Sequence, residues 1–142
     1  MTTSVPDPAQ PTRPARDSGI PDNVAAALAY LLGPFTGILF FILDRDRPLV
    51  RFHSLQAIGL TIVWIPIWVG LLLVGALLGV IPVLGLFLDA LLGMVVGLAG
   101  FALWLWLMFQ GWSGTWWEVP IVGPQARRIS DSMEKDAHVA AS

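Results

Sequence analysis

The sequence predicts an all-α membrane protein with three transmembrane helices and a disordered N-terminal tail. Between Arg51 and Glu118 the only acidic residue is Asp89, and there is no Lys, Arg or Glu at all. Hydrophobic residues make up 56% of the 142-residue chain and charged residues 13%, against about 45–50% and about 25% in soluble proteins. A fold in water needs polar surface on every element, and this stretch has almost none.

The totals also exclude several function classes. A formal net charge of -2 gives no sign of a nucleic-acid partner. The absence of Cys removes disulfides, thiol catalysis and thiolate metal sites. Residues 1–22 contain five of the prolines and few large apolar side chains. Such a segment cannot bury enough surface to offset its ordering entropy, so we predict a disordered tail.

The first predicted helix of the transmembrane domain (residues 23–128) spans residues 24–43. These twenty residues carry no charge, and at 1.5 Å per residue they would cross a hydrocarbon layer of about 30 Å. Pro34 lies in mid-span, where a missing amide and a steric clash predict a kink. Gly33 and Gly37 are four residues apart. They either admit a neighbouring helix closely or only relieve the strain of Pro34.

The second and third predicted helices span residues 55–78 and 84–110, joined by a turn that ends at Pro82. Pro66 predicts a kink in the second helix. Residues 111–124 are rich in Gly, Pro and Trp, which predicts a turn-rich strip on the membrane surface. Residues 129–142 form a polar C-terminal tail with loose last residues.

Asp89 is the single charge inside the third helix. Helical spacing places glycines on the same side, a small-residue face typical of helix contacts, so Asp89 should point into the bundle. An intramembrane acid is a candidate functional site, although Asp89 lies only about 9 Å from the helix start and could reach the interface. Tyr30 has a similar depth in the first helix, and we expect its hydroxyl to donate to Asp89.

A second polar group should lie near the other membrane face. Arg51, His53 and Gln56 follow the charged loop 44–47, and His53 and Gln56 share one helix face. They could bind lipid headgroups, hydrogen-bond a neighbouring helix or relay a proton. A metal site would need more ligands than one His. We favour a structural role for His53.

Two strips carry a family resemblance. Residues 50–57, with Arg51, Phe52, His53 and Gln56, and residues 114–123, with Pro120 and Gly123, resemble the Tic-twenty-like family. This family includes a small subunit of the protein-import translocon of the chloroplast inner envelope, and its bacterial relatives form a domain of unknown function. The resemblance implies a multi-pass membrane protein, with import work implied only for plastid members, which are usually drawn with four helices.

Three crossings would place the two chain ends on opposite sides of the cell (inner) membrane. Arginines lie in the loop 44–47 and beyond the end of the third helix. Since basic residues favour the cytoplasm, we expect an outer N-terminus and a cytoplasmic C-terminus. We expect the chain to contact the lipid bilayer and to form either a homo-oligomer or part of a larger membrane complex.

The leading interpretation is a non-enzymatic packing or assembly component without cofactor or metal. The alternative is a component of a transport or protein-translocation channel. An enzyme is disfavoured because the candidate acid–base groups, Asp89 and His53, should lie on opposite sides of the membrane.

Overall fold

A computed structural model describes residues 18–141, and every regular element in this range is an α-helix. The five helices are α1 (Asp22–Leu28), α2 (Pro34–Leu43), α3 (Pro48–Leu78), α4 (Leu84–Trp112) and α5 (Gly123–Ala141). Residues 1–17 of the predicted disordered tail lie outside the described range. Residues 18–22 make defined contacts.

The first apolar run is two short helices and not one kinked helix. The chain breaks at Gly33, whose φ of 60° and ψ of -122° are open essentially to glycine alone. Pro34 then opens α2, where its missing amide costs nothing because the first helical amides have no partner within the helix. The predicted kink at Pro34 is therefore a complete break.

The two short helices form a hairpin that returns to the end from which it started. At its base, the amide and hydroxyl of Ser18 donate to the Asp44 carboxylate at 2.9 and 2.8 Å. The Arg47 guanidinium pairs with both Asp22 and Asp44. We call residues 22–43 the N-terminal hairpin. The prediction of a full crossing over residues 24–43 is wrong, because residue count measures chain length and not direction.

The tip of the N-terminal hairpin reaches only the middle of α3. A β-carbon at Gly33 would lie 3.8 Å from the hydroxyl of Thr61. Thr61 is thirteen residues from the start of α3, or about 20 Å along its axis. The side chains at the tip remain bare: Leu32 is 64% exposed and Phe35 is 78% exposed. The tip is therefore an apolar surface at mid-height.

The two long helices α3 and α4 are each apolar and long enough to cross a membrane. Their turn is tight, because a β-carbon at Gly85 would collide with the carbonyl oxygen of Leu78. The helix α3 begins at Pro48, seven residues before its predicted start, and continues through Pro66. Its predicted kink at Pro66 stays a prediction.

The C-terminal part also folds back along α3. The strip 113–122 descends beside α3 until Val122 contacts Gly59, where a β-carbon would lie 2.5 Å from Val122 Cγ1. The helix α5 then runs back, so that Ser130 meets Arg51. The predicted surface strip is thus packed against α3, and the predicted polar tail is largely helical.

Burial is concentrated at one end of the molecule. Two apolar clusters, around Tyr30 with Leu107 and around Phe40 with Val50, join the N-terminal hairpin to α3, α4 and the strip. Toward the turn that joins them, α3 and α4 contact each other, as between Trp64 and Gly100. Both ends of the described chain lie at the packed end, so their predicted placement on opposite sides is wrong.

Candidate functional site

Three buried polar side chains meet at the packed end, and we call Tyr30, His53 and Gln56 the polar core. The Tyr30 hydroxyl lies 3.0 Å from His53 Nδ1 and 3.0 Å from Gln56 Nε2. At most 2% of each residue is exposed. Tyr30 comes from the N-terminal hairpin, whereas His53 and Gln56 lie one turn apart on α3. The polar core therefore ties the hairpin to the first long helix.

The backbone of the strip fixes which atom donates each proton. Gln56 Oε1 accepts the Val119 amide at 3.3 Å, and Gln56 Nε2 donates to the Trp117 carbonyl at 3.3 Å. The Gln56 amide is thereby oriented, and its nitrogen must be the donor toward the Tyr30 oxygen. The Tyr30 hydroxyl is then free to donate to His53 Nδ1.

The same chain of donors sets the state of the His53 ring. Since Nδ1 accepts from Tyr30, the ring proton lies on Nε2, which donates to the Thr115 carbonyl at 3.0 Å. His53 is therefore a neutral imidazole with both nitrogens used. The ring also packs edge-on against Phe52 and Tyr30, with centroid distances of 5.1 and 5.7 Å. These contacts leave no free lone pair for a metal or a substrate proton.

The predicted bond between Tyr30 and Asp89 is wrong. The Tyr30 carbonyl accepts from Trp104 Nε1 at 2.8 Å, and Trp104 is fifteen residues along α4 from Asp89, or about 22 Å. The error follows from the hairpin: Tyr30 does not lie in a spanning helix, so depth counted from a helix start did not apply. Tyr30 belongs instead with His53 and Gln56, which had been expected near the opposite face.

Arg51 fastens α5 to α3 beside the polar core. Its Nε donates to the Ser130 hydroxyl at 2.8 Å, and its Nη2 pairs with Glu134 at 3.3 Å. A third bond, at 3.3 Å, runs from Nη1 to the Arg45 carbonyl. Arg51 is 5% exposed and Ser130 is 1% exposed. A buried guanidinium with three partners is satisfied, so this contact acts as a clamp.

Asp89 lies at the other end of the long helices, in a groove between them. The groove has a volume of about 430 Å³ and is lined by apolar and small residues, including Trp68, Ala76 and Gly93. The Asp89 carboxylate packs on Gly75, where a β-carbon would lie 2.6 Å from Oδ1. Asp89 therefore faces α3, whereas the sequence predicted only that it points into the bundle. Among residues 18–141, no hydrogen bond or ion pair to this carboxylate occurs.

The site at the hairpin base was missed from sequence. Asp44 is fully buried and Arg47 bridges it to Asp22, whereas the sequence predicts only a charged loop at these two residues. A signal existed: an acid precedes the first apolar run, and an acid and a base follow it. Gly33-Pro34, which interrupts a helix, lies midway between these charges, and this pattern favours a hairpin.

The side chains of the polar core and of Arg51 form hydrogen bonds that stabilise the packing of the helices. Within the described part of the chain, no three His, Asp or Glu residues are close enough to hold a metal ion. Asp89 contacts Gly75, twenty-two residues along α3 from His53, or about 33 Å. The absence of enzyme activity stays a prediction.

The fold defines a helical membrane protein with two long apolar helices and a packed polar end. Comparison with known protein families identifies the family of this membrane protein. Residues 21–125 match the model of the magnetosome magnetite crystal formation protein family. This match covers more than half of the chain, which therefore belongs to that family.

Individual relatives support a membrane protein. The chain is 38% identical over 107 residues to a UPF0132 membrane protein of Archaeoglobus fulgidus, covering 75% of this chain and 93% of the relative. A UPF0132 membrane protein of Methanocaldococcus jannaschii is 36% identical over 112 residues, covering 79% and 91%. No solved structure matches the chain.

The resemblance to the Tic-twenty-like family is corrected by these matches. The residues that carried it, Arg51 to Gln56 with Pro120 and Gly123, all lie inside the region matched by the other family. In the structure the first strip supplies the polar core and the Arg51 clamp. The second strip contains the turn that leads into α5. These positions serve the packing of this fold.

Proposed function

We propose that this chain is a non-enzymatic assembly component of the cell membrane that associates with further copies of itself through its two long helices. The observation that carries the proposal is the face of α4 around Gly93 and Gly97. A β-carbon at either glycine would meet nothing within 4 Å. Asp89 lies on the same face one turn away, with its carboxylate in the groove.

An open glycine face supports helix association in lipid. Small residues let two helix backbones approach closely, and van der Waals contact is then the main source of stability. Asp89 adds a second reason, because a carboxylate within the hydrocarbon is costly without a polar partner. Two copies that meet on this face would enclose their Asp89 carboxylates between helices and away from lipid.

The orientation that we propose has both chain ends in the cytoplasm. Arginines and a lysine collect at the packed end, on the loop 44–47, at Arg51 and along α5. The turn 79–83 at the other end has neither Lys nor Arg. Basic residues in short loops favour the cytoplasmic side. This replaces the expected outer N-terminus, because the hairpin brings residue 18 back to the side of α5.

Disulfide crosslinking tests the self-association directly, because the chain has no Cys of its own. Gly97→Cys places a thiol on the proposed face. Val95→Cys is the matched control, since Val95 lies at nearly the same depth, is 55% exposed and points about 160° away around the helix. We expect oxidation in native membranes to give dimers from Gly97→Cys only. Equal yields from both variants, or none from either, would contradict the proposal.

A transport component remains the second candidate, and the unpaired Asp89 carboxylate is what favours it. A polar group facing a groove could hold a cation or a proton during passage. Flux of ions or peptides through reconstituted liposomes that is lost in Asp89→Asn would support transport. Inert liposomes containing folded protein would count against it.

A further inference from the structure

We propose that this chain is a wedge that favours membranes curved outward on the side of its chain ends, an inference that rests on the membrane topology proposed above. We call residues 18–61 and 100–141 the broad end and residues 62–99 the narrow end. The broad end contains all of α1, α2 and α5 with half of each long helix. The narrow end contains only the remaining halves of α3 and α4.

The difference in width is large on the scale of a helix. A helix is about 10 Å wide, so its cross-section is roughly 80 Å², and α1, α2 and α5 together add roughly 240 Å² to the broad end. The strip 113–122 adds more at the level of His53 and Gln56. Lipids in one leaflet must make room for this area, whereas those in the other leaflet surround two helices.

The broad end stops near the middle of the long helices. The hairpin tip stops beside Thr61 and presents bare Leu32 and Phe35. The helix α5 carries charges on one side, while Ile129 is 48% exposed and Ile121, just before α5, is 72% exposed. Apolar groups inserted into one leaflet alone enlarge that leaflet, and the binding of such groups depends on curvature.

The broad end is also held together, so that it cannot flatten against the bilayer. The base of the N-terminal hairpin is closed by Asp44 and Arg47. The polar core fixes the hairpin to α3, and Arg51 fixes α5. Because these contacts link every added segment to the long helices, the extra area in one leaflet is a fixed property of the fold. A leaflet with extra area becomes the convex one.

Membrane tubes drawn from giant vesicles test the wedge. The protein is reconstituted at a density low enough to keep molecules apart, with a dye on Ser132→Cys, and a membrane-impermeant quencher separates the two orientations. We expect molecules with the broad end on the outer leaflet to be enriched in tubes several-fold relative to the flat membrane. Molecules in the reverse orientation should be depleted. Equal density in tube and flat membrane, or enrichment in both orientations, would overturn the proposal.

A variant of the hairpin tip identifies the source of the effect. Leu32→Lys with Phe35→Lys should keep the tip out of the hydrocarbon and reduce the enrichment toward unity. Leu32→Met with Phe35→Leu keeps the tip apolar and should retain the enrichment. Enrichment that survives the lysines in protein that still folds would contradict a wedge at the tip. If the lysine variant does not fold, the comparison of the two orientations of the natural protein still decides.

A third variant separates the wedge from self-association. Gly97→Leu fills the open face of the narrow end. Added to Gly93→Cys, which places a thiol on the same face, it should abolish the dimers that Gly93→Cys alone gives on oxidation, while leaving curvature sorting unchanged. Sorting that disappears in Gly97→Leu would show that oligomers, and not the shape of one chain, produce it. Sorting of the natural protein, together with no crosslinked dimers from Gly97→Cys, would support the wedge and reject the proposed self-association.

Discussion

The hydroxyl of Tyr30 lies 3.0 Å from Nδ1 of His53, and this contact joins the N-terminal hairpin to the first long helix. The two residues are twenty-three positions apart and belong to segments that the sequence does not visibly pair. Gln56 and the Thr115 carbonyl complete the hydrogen bonds of the pair. The hairpin, α3 and the strip 113–122 thus meet at one imidazole and one phenol.

Tyr30→Phe should destabilise the protein without changing its shape. The change leaves His53 Nδ1 and one donor of Gln56 with no partner in a buried place, which costs about 1–3 kcal/mol. A lower thermal unfolding midpoint in detergent would show this. Thr61→Val is the matched control: it also removes one hydroxyl, but that hydroxyl bonds only to the Ala57 carbonyl of its own helix. An equal loss in both variants would contradict a special role for the polar core.

Gly33→Ala tests the break between α1 and α2. A side chain at φ 60° and ψ -122° is strained, and such strain costs about 1–3 kcal/mol. A continuous helix with only a proline kink would instead gain stability from the alanine. Unfolding measurements in detergent distinguish a loss of stability from a gain. Gly70→Ala, at a helical glycine with nothing within 4 Å, is the control and should be neutral or slightly stabilising.

Arg51→Met should release α5. The change strands the buried Ser130 hydroxyl and removes the pair with Glu134, so local opening becomes easier. We expect trypsin to cut after Arg127, Arg128 or Lys135 about tenfold faster, which corresponds to about 1.4 kcal/mol. Arg45→Met is the control, since Arg45 contributes only its backbone carbonyl to this clamp. Unchanged cutting in Arg51→Met would show that α5 is held elsewhere.

Labelling of single cysteines tests the topology. Pro21→Cys, Asp46→Cys and Ser132→Cys should all react with an impermeant thiol reagent from the same side of the membrane. Val80→Cys, at the turn of the narrow end, is 79% exposed and should react only from the other side. Three full crossings would place Pro21→Cys on the side of Val80→Cys, and that pattern would refute the re-entrant hairpin.

The sequence was sufficient for the long helices. The uncharged runs of α3 and α4 are too apolar for water, and the turn at Gly79–Pro82 interrupts them, so their ends at Leu78 and Leu84 could be predicted closely. Helical spacing also predicted that Asp89 points into the bundle, but it did not identify α3 as the helix that Asp89 contacts. These features depend on residues that are close in the sequence, so hydrophobic periodicity and composition predict them.

The polar core required the tertiary structure. No local sequence pattern predicts that Tyr30 contacts His53 and Gln56. The strip contributes backbone atoms to these hydrogen bonds, and backbone atoms are the same for every residue type. The burial of Asp44 was hidden for the same reason, since its partners Ser18 and Arg47 come from both ends of a returning segment.

The sequence by itself determined that this chain is a membrane protein and where its two long helices meet, because hydrophobicity is a sum over residues. Only the tertiary structure decided that the first apolar segment turns back at Gly33 and leaves both ends of the described chain at the packed end. The physical reason is that hydrophobicity does not distinguish one helix from a hairpin of two, because both place the same apolar side chains in lipid. The choice falls to the contacts at Asp44 and Tyr30, which are made between distant parts of the chain.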